Sequence, residues 1–152
     1  MAVLAWGKCT LEMITSENGA PKGTGSWTKL PTPKQGTTQL ETTEGDATEA
    51  LEEGGDMVDR YVGASKSTLT FQLFQKKGED LPIEHHDGKV AGEWAFRIIP
   101  EDEECVGRQL DRCRVSVSDT FTTADGFLLT VTCTVLKPAT GDMVKTYIKP
   151  KA

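Results

Sequence analysis

The chain has 152 residues, of which 37% are hydrophobic, and its formal net charge at pH 7 is -6. This length suits a single domain over residues 1–152, and the negative charge argues against a surface that grips nucleic acid, because such surfaces are usually basic. Apolar runs stay far below the roughly 20 residues of a transmembrane helix, and no basic region precedes the apolar N-terminal patch, so neither a membrane span nor a signal peptide is expected.

The first half of the chain alternates strand-like runs with turns. Apolar and polar residues alternate over 9–15 and, most clearly, over 67–75, which is the pattern of half-buried strands. The paired glycines Gly54 and Gly55 predict a turn between two further strands. The predicted strands of this half cover residues 9–15, two runs around Gly45 within 37–53, 57–62 and 67–75.

The second half continues the β pattern with two places where a helix is expected. Residues 76–88 leave room for one short helix that Pro82 limits, and residues 106–112 predict a single helical turn. The remaining runs predict strands, with a turn at 124–126 joining the last two. These strands cover residues 90–100, 113–119 and 126–136.

Two segments are rich in proline and glycine and predict long extended arms: residues 16–36 and the C-terminal residues 137–152. Structureless loops of this length are uncommon within a compact domain, yet both segments contain large apolar side chains. We therefore expect the arms to dock on a neighbouring subunit, which would offset the cost of ordering them. The candidate intersubunit residues are Trp27, Leu30, Met143, Val144, Tyr147 and Ile148.

The four cysteines, Cys9, Cys105, Cys113 and Cys133, lack the close spacing of zinc or thioredoxin-like motifs. Cys113 and Cys133 fall in phase with apolar strand residues, where a free thiol behaves as a small hydrophobe. Reduced thiols in a cytoplasmic setting are expected, and the even number leaves a disulfide open.

No motif predicts catalysis, a metal or a cofactor. The glycine-rich run 19–26 lacks the Gly-Lys-Ser/Thr ending of a phosphate loop. His85 and His86 are adjacent, so their side chains point apart, and the acidic run 49–59 lacks a calcium-loop spacing. Each is expected to be a solvated surface, and the protein is not expected to be an enzyme.

Threonine-rich strands predict a sheet with two different faces. In the last long strand, odd-numbered residues from Phe127 to Val135 are apolar, while the even-numbered positions 130, 132 and 134 are threonines. Such a strand suits a wall between a packed core and a water-filled lumen. The lumen-facing candidates are Thr38, Gln39, Glu41, Thr43, Thr130, Thr132 and Thr134.

The order of these segments resembles the tail tube proteins of bacteriophages and prophages. The resemblance is carried by the polar strand 37–44, the acidic run into Gly54 and Gly55, the strand 67–75 and the ending 135–141. It implies a mainly β, sandwich- or barrel-like tail-tube fold with at most one short helix. It also implies hexameric rings that stack into a hollow tail tube. The chain is similar in the same way to the ring protein of contractile injection systems.

The resemblance further implies the protein's partners and location. These partners are other copies of the chain and other tail proteins, with DNA only as passing cargo, no cofactor and no membrane. The protein would be made in the bacterial cytoplasm and end in the virion tail. The alternative is a monomeric β-sandwich that binds a carbohydrate or a surface partner. Its missing signs are a cluster of exposed aromatic residues and a secretion signal.

Overall fold

The computed structural model describes residues 8–23, 27–102 and 104–148. Within these ranges the chain forms eleven β-strands and no helix. The strands are β1 (Cys9–Glu17), β2 (Ala20–Pro21), β3 (Thr28–Lys29), β4 (Gln39–Thr43), β5 (Ala47–Leu51), β6 (Met57–Val62), β7 (Lys66–Phe74), β8 (Trp94–Pro100), β9 (Gly107–Thr122), β10 (Gly126–Val135) and β11 (Lys145–Tyr147).

Nine of these strands form one antiparallel sheet in the order β2-β1-β8-β9-β10-β7-β4, with β3 added to β1 and β11 added to β9. The sheet curls into a half-barrel, and the predicted mainly β, barrel-like fold is confirmed. Strands β5 and β6 form a separate two-stranded hairpin between β4 and β7.

The core lies on one face of the curled sheet. In β7 and β10, alternate residues are buried, and Phe71, Val131 and Val117 stand in register on three adjacent strands. The ring of Phe71 meets the ring of Phe96 edge-on, with 6.4 Å between centroids. The large side chains with no exposure at all are Phe71, Phe96, Leu69, Leu73, Leu110, Leu129 and Val131.

The helical turn predicted for residues 106–112 is wrong. These residues begin the longest strand, β9, and its pairing with β8 shifts register between Trp94 and Phe96. The shift leaves the consecutive residues Leu110 and Asp111 both buried. The alternation of apolar and polar residues is therefore interrupted, and the sequence pattern does not predict a strand here. Residues 76–88 also hold turns rather than the short helix that their length allowed.

The segment 16–36 is more ordered than an extended arm. Asn18 and Gly19 both have positive φ, 54° and 78°, and make a tight turn between β1 and β2. After residues 24–26, which lie outside the described ranges, β3 pairs with β1 and the Leu30 amide donates to the carbonyl of Leu11 over 2.9 Å. Leu30 is 4% exposed and belongs to the chain's own core, so its burial needs no second subunit.

The C-terminal segment likewise packs on its own domain as far as residue 148. Met143 and Val144 contact the core, and β11 pairs with β9. The guanidinium of Arg97 lies 3.8 Å from the ring centroid of Trp27 and 4.5 Å from that of Tyr147, so one cation holds both segments. Of the predicted intersubunit residues, Ile148 stays largely exposed.

We predict that Leu30→Ala destabilises the isolated protein. Removing a fully buried leucine costs about 2–5 kcal/mol of unfolding free energy, because the cavity is only partly refilled. Urea denaturation followed by tryptophan fluorescence measures the loss, and Leu81→Ala is the matched control because Leu81 is exposed. An unchanged denaturation midpoint for Leu30→Ala would show that the segment 16–36 does not complete this core.

Candidate functional site

The outer side of the four strands β4, β7, β10 and β9 forms one continuous surface, here called the polar face, on which neutral polar side chains outnumber charged ones. Gln39, Thr70, Thr132 and Ser116 stand directly opposite one another across the four strands. A second row links Gln72, Thr130 and Ser118, and the amide of Gln72 donates to the hydroxyl of Thr130 over 3.3 Å. A third row contains Glu41, Thr68, Thr134 and Arg114.

The structure brings six of the seven lumen-facing candidates to this polar face. Gln39, Glu41 and Thr43 alternate along β4, and Thr130, Thr132 and Thr134 alternate along β10. Thr38 lies just before β4 in phase with Leu40, which packs against the core. Thr38 therefore belongs to the opposite side of the sheet, because a shift of one residue reverses the face.

The sheet ends in an open edge at β4. This five-residue strand pairs with β7 on one side, and no other strand in the described parts of the chain pairs with its second side. Unpaired backbone N–H and C=O groups at such an edge are a template for pairing with another chain. At the far side of the sheet, β2 and β3 cover parts of the β1 edge.

The hairpin segment, residues 44–62, leaves the sheet where β4 ends and β7 begins. Every residue of β5 and β6 is exposed. Leu51, Met57, Val58 and Tyr61 are large apolar side chains with 53–72% of their surface in water. An isolated two-stranded hairpin is marginally stable, so this segment gains from further contacts. Leu51 and Met57 stand opposite each other at the turn, and exposed apolar side chains that adjoin in this way are typical of an interaction surface.

The base of the hairpin depends on a close approach of its two legs. Gly45 is buried, and a Cβ atom there would lie 2.3 Å from the carbonyl oxygens of both Gly63 and Ala64. The amide of Gly63 donates to the carbonyl of Asp46 over 2.9 Å and closes the base. A side chain at position 45 would push these backbones apart.

A cleft lined by basic side chains, here called the basic groove, lies beside the turn between β1 and β2. It is open and has a volume of about 470 Å³. Arg112 and Lys137 line it, and Arg114 stands next to Arg112 on the same carboxylate. That carboxylate is Glu93, whose pKa is lowered chiefly by its hydrogen bond from Arg112. One carboxylate among three cations leaves the groove positive.

The described residues form no metal-binding cluster and no disulfide. No group of three or more His, Cys, Asp or Glu side chains in the described ranges is arranged to hold a metal. All four cysteines are free thiols, and burial raises the pKa of Cys113 to about 12, so this thiol stays protonated and unreactive. Across the same residues, no helix is long and apolar enough to cross a bilayer.

No protein family matches the sequence, and no curated protein matches it. The functional argument therefore depends on the surfaces of the molecule itself.

Two of these surfaces were not predicted from the sequence. The pattern predicts a solvated surface for the carboxylates of residues 49–59 and a turn at Gly54–Gly55, but not that the apolar side chains of this hairpin are exposed with them. The basic groove combines Arg112, Arg114 and Lys137 with Glu93 from another part of the chain, and no local pattern reveals it.

We predict that Gly45→Ala loosens the hairpin base and leaves the core intact, because the new methyl group meets two backbone oxygens that cannot both retreat. Hydrogen exchange should show the amide of Gly63 losing protection while core amides of β7 and β10 keep theirs. Gly23→Ala is the matched control, because a Cβ at Gly23 meets no atom within 4 Å. Equal protection of Gly63 in both variants would contradict this account.

Proposed function

We propose that the protein is a structural subunit that assembles into rings, and that the rings stack into the hollow tail tube of a phage or a phage-like particle. The observation that carries the proposal is the curled sheet, which has one face packed on the core, one polar face and an open edge at β4. A closed assembly uses all three features.

The open edge supports assembly. A half-barrel leaves strand edges exposed, and pairing them between copies removes the aggregation risk that they carry. Repeating the same contact between different surfaces around an axis closes a ring. The resemblance of the sequence to tail tube proteins points to six copies in that ring.

The polar face supports a water-filled channel. Hydroxyl and amide side chains dominate its rows, and the net charge of the chain is -6. A hydrated wall without a dense positive patch does not adhere to a polyanion, because tight binding needs cations at the phosphates. DNA would therefore pass along such a wall as cargo rather than bind to it.

We predict that Gln39→Lys/Glu41→Lys prevents ring formation without unfolding the subunit. Both side chains lie on the polar face of the edge strand, and lysines there oppose pairing between strand edges. Sedimentation velocity over a concentration series should show assembled wild type and a monomeric variant, with thermal midpoints alike. Gln35→Lys/Glu101→Lys, which makes the same charge change in exposed loops, is the control. Equal assembly of both variants would contradict the role of this edge.

We predict that Thr132→Lys slows DNA passage. Thr132 lies in the middle of the polar face, and a lysine there should leave assembly intact but hold passing phosphates, slowing genome release by about tenfold or more. The measurement is infectious titre together with the rate of DNA ejection from particles that carry the variant. Thr132→Gln is the control for size without charge. Normal ejection with Thr132→Lys would argue against a channel lined by this face.

The second candidate function, a monomeric binding module, is favoured by one feature. Phe121 and Phe127 are exposed neighbours at the tip of the β9–β10 hairpin, with centroids 4.7 Å apart. Their planes are tilted by 46°, so the rings contact each other rather than form the flat platform that stacks on a sugar. A strict monomer at high concentration would favour this candidate over the tube.

A further inference from the structure

The charge of this chain is concentrated in one place. The hairpin segment, residues 44–62, contains seven carboxylates and one arginine, so its formal charge is -6 and equals that of the whole chain. The remaining residues carry 16 acidic and 16 basic side chains and are neutral together. The strongly anionic part of the protein is therefore also a part with many exposed apolar side chains.

The hairpin segment satisfies little of this charge by itself. Arg60 reaches Glu44 and Glu49 with N–O distances of 2.9 and 3.4 Å, and Lys66 lies 4.0 Å from Asp46. Among the described residues, no ion pair involves Glu52, Glu53 or Asp56 at the turn. The turn therefore presents free carboxylates beside exposed Leu51 and Met57.

The basic groove has the opposite character. Arg112 and Lys137 line the cleft, and Arg114 lies beside them, paired with the same Glu93. The side chain of Arg114 is 60% exposed and that of Arg112 is 34% exposed. Glu93 is the one carboxylate that the described residues place against these cations. No ion pair of the described structure connects the groove to the hairpin of its own chain, so its remaining positive charge is available to another molecule.

We propose that the hairpin segment of one copy docks in the basic groove of the next copy. The inference rests on the proposed function, because it names the contact by which copies of this chain associate. Its occupant is a second copy because the chain itself carries both complementary surfaces, the anionic turn and the cationic cleft. The two surfaces differ, so the contact is head-to-tail and continues from copy to copy around a ring.

The position of the two surfaces fits a ring. The hairpin leaves the sheet beside Thr43 and Lys66, and the groove adjoins Lys137, which follows the end of β10. Lys137 also lines a cleft that contains Ala64 and Ser65 at the hairpin base. Both surfaces therefore lie at the same end of the sheet. The hairpin stands at its β4 side and the groove at the β1–β2 turn on the other side, so the contact can run from one side of a copy to the opposite side of the next.

The experiment exchanges the charges. Glu52→Lys/Glu53→Lys reverses the hairpin turn, and Arg114→Glu/Lys137→Glu reverses the groove. The fourfold variant reverses both and returns the net charge to that of the wild type. Lys76→Glu/Lys77→Glu is the matched control, because these exposed lysines follow β7 at the opposite end of that strand. Thermal unfolding confirms that each variant folds, and sedimentation velocity at low salt measures assembly.

We expect each double variant to lower the assembled fraction by about tenfold or more, because like charges would meet at the contact, and the fourfold variant to recover it. The control should assemble like the wild type, and added salt should weaken wild-type assembly. Double variants that assemble normally, or a fourfold variant that does not recover, would overturn the docking contact. A wild type that stays monomeric at every concentration would instead overturn the proposed function.

Discussion

The opposite character of the two sides of β7 and β10 holds the rest of the structure in place. Leu69, Phe71 and Leu73 face the core at every second position, and threonine or glutamine fills the positions between them. A register slip of one residue would move the entire apolar set into water, where each such side chain loses about 1.5–3 kcal/mol of burial. Register is therefore fixed by the core, and the polar face follows from it without a separate specification.

The outer segments are tied to this sheet by charges as well as by apolar packing. Asp111 is 3% exposed, accepts a hydrogen bond from Gln109 over 2.7 Å and pairs with Lys145 of β11. A buried carboxylate is costly without its cation, so β11 and the bulged part of β9 need each other. Arg97 connects Trp27 and Tyr147 because its guanidinium stacks on both rings. The segments that seemed free to leave the domain are thereby held on it.

Alternation predicted most of the fold. The strands over 9–15, 57–62 and 67–75 and the pair joined at 124–126 all exist, because half-buried strands display their period in sequence. The pattern does not predict a strand where the geometry departs from this period, as at the register shift that precedes Asp111 near the start of β9. It also could not show that Leu30 inserts into the core, since that contact joins distant parts of the chain.

The candidate surfaces were predictable to different degrees. The polar face follows from alternation in single strands. Thr38 alone among the candidates is out of phase with it, because the phase of β4 is set by Leu40 opposite Leu69. The exposure of the hairpin was not predictable, because Leu51 and Tyr61 are of residue types that strands usually bury, yet both are exposed. The basic groove needed the fold itself, which brings Glu93 to Arg112 and Arg114.

The central claim is that one sheet serves as core on one side and as channel wall on the other. Electron cryo-microscopy of the assembled wild-type protein tests it most directly, because a reconstruction at side-chain resolution identifies the residues around any central channel. The account predicts a closed ring whose channel is lined by the rows of Gln39, Thr70 and Thr132. A particle without a channel, or one whose channel is lined by other strands while these rows face outward, would contradict it.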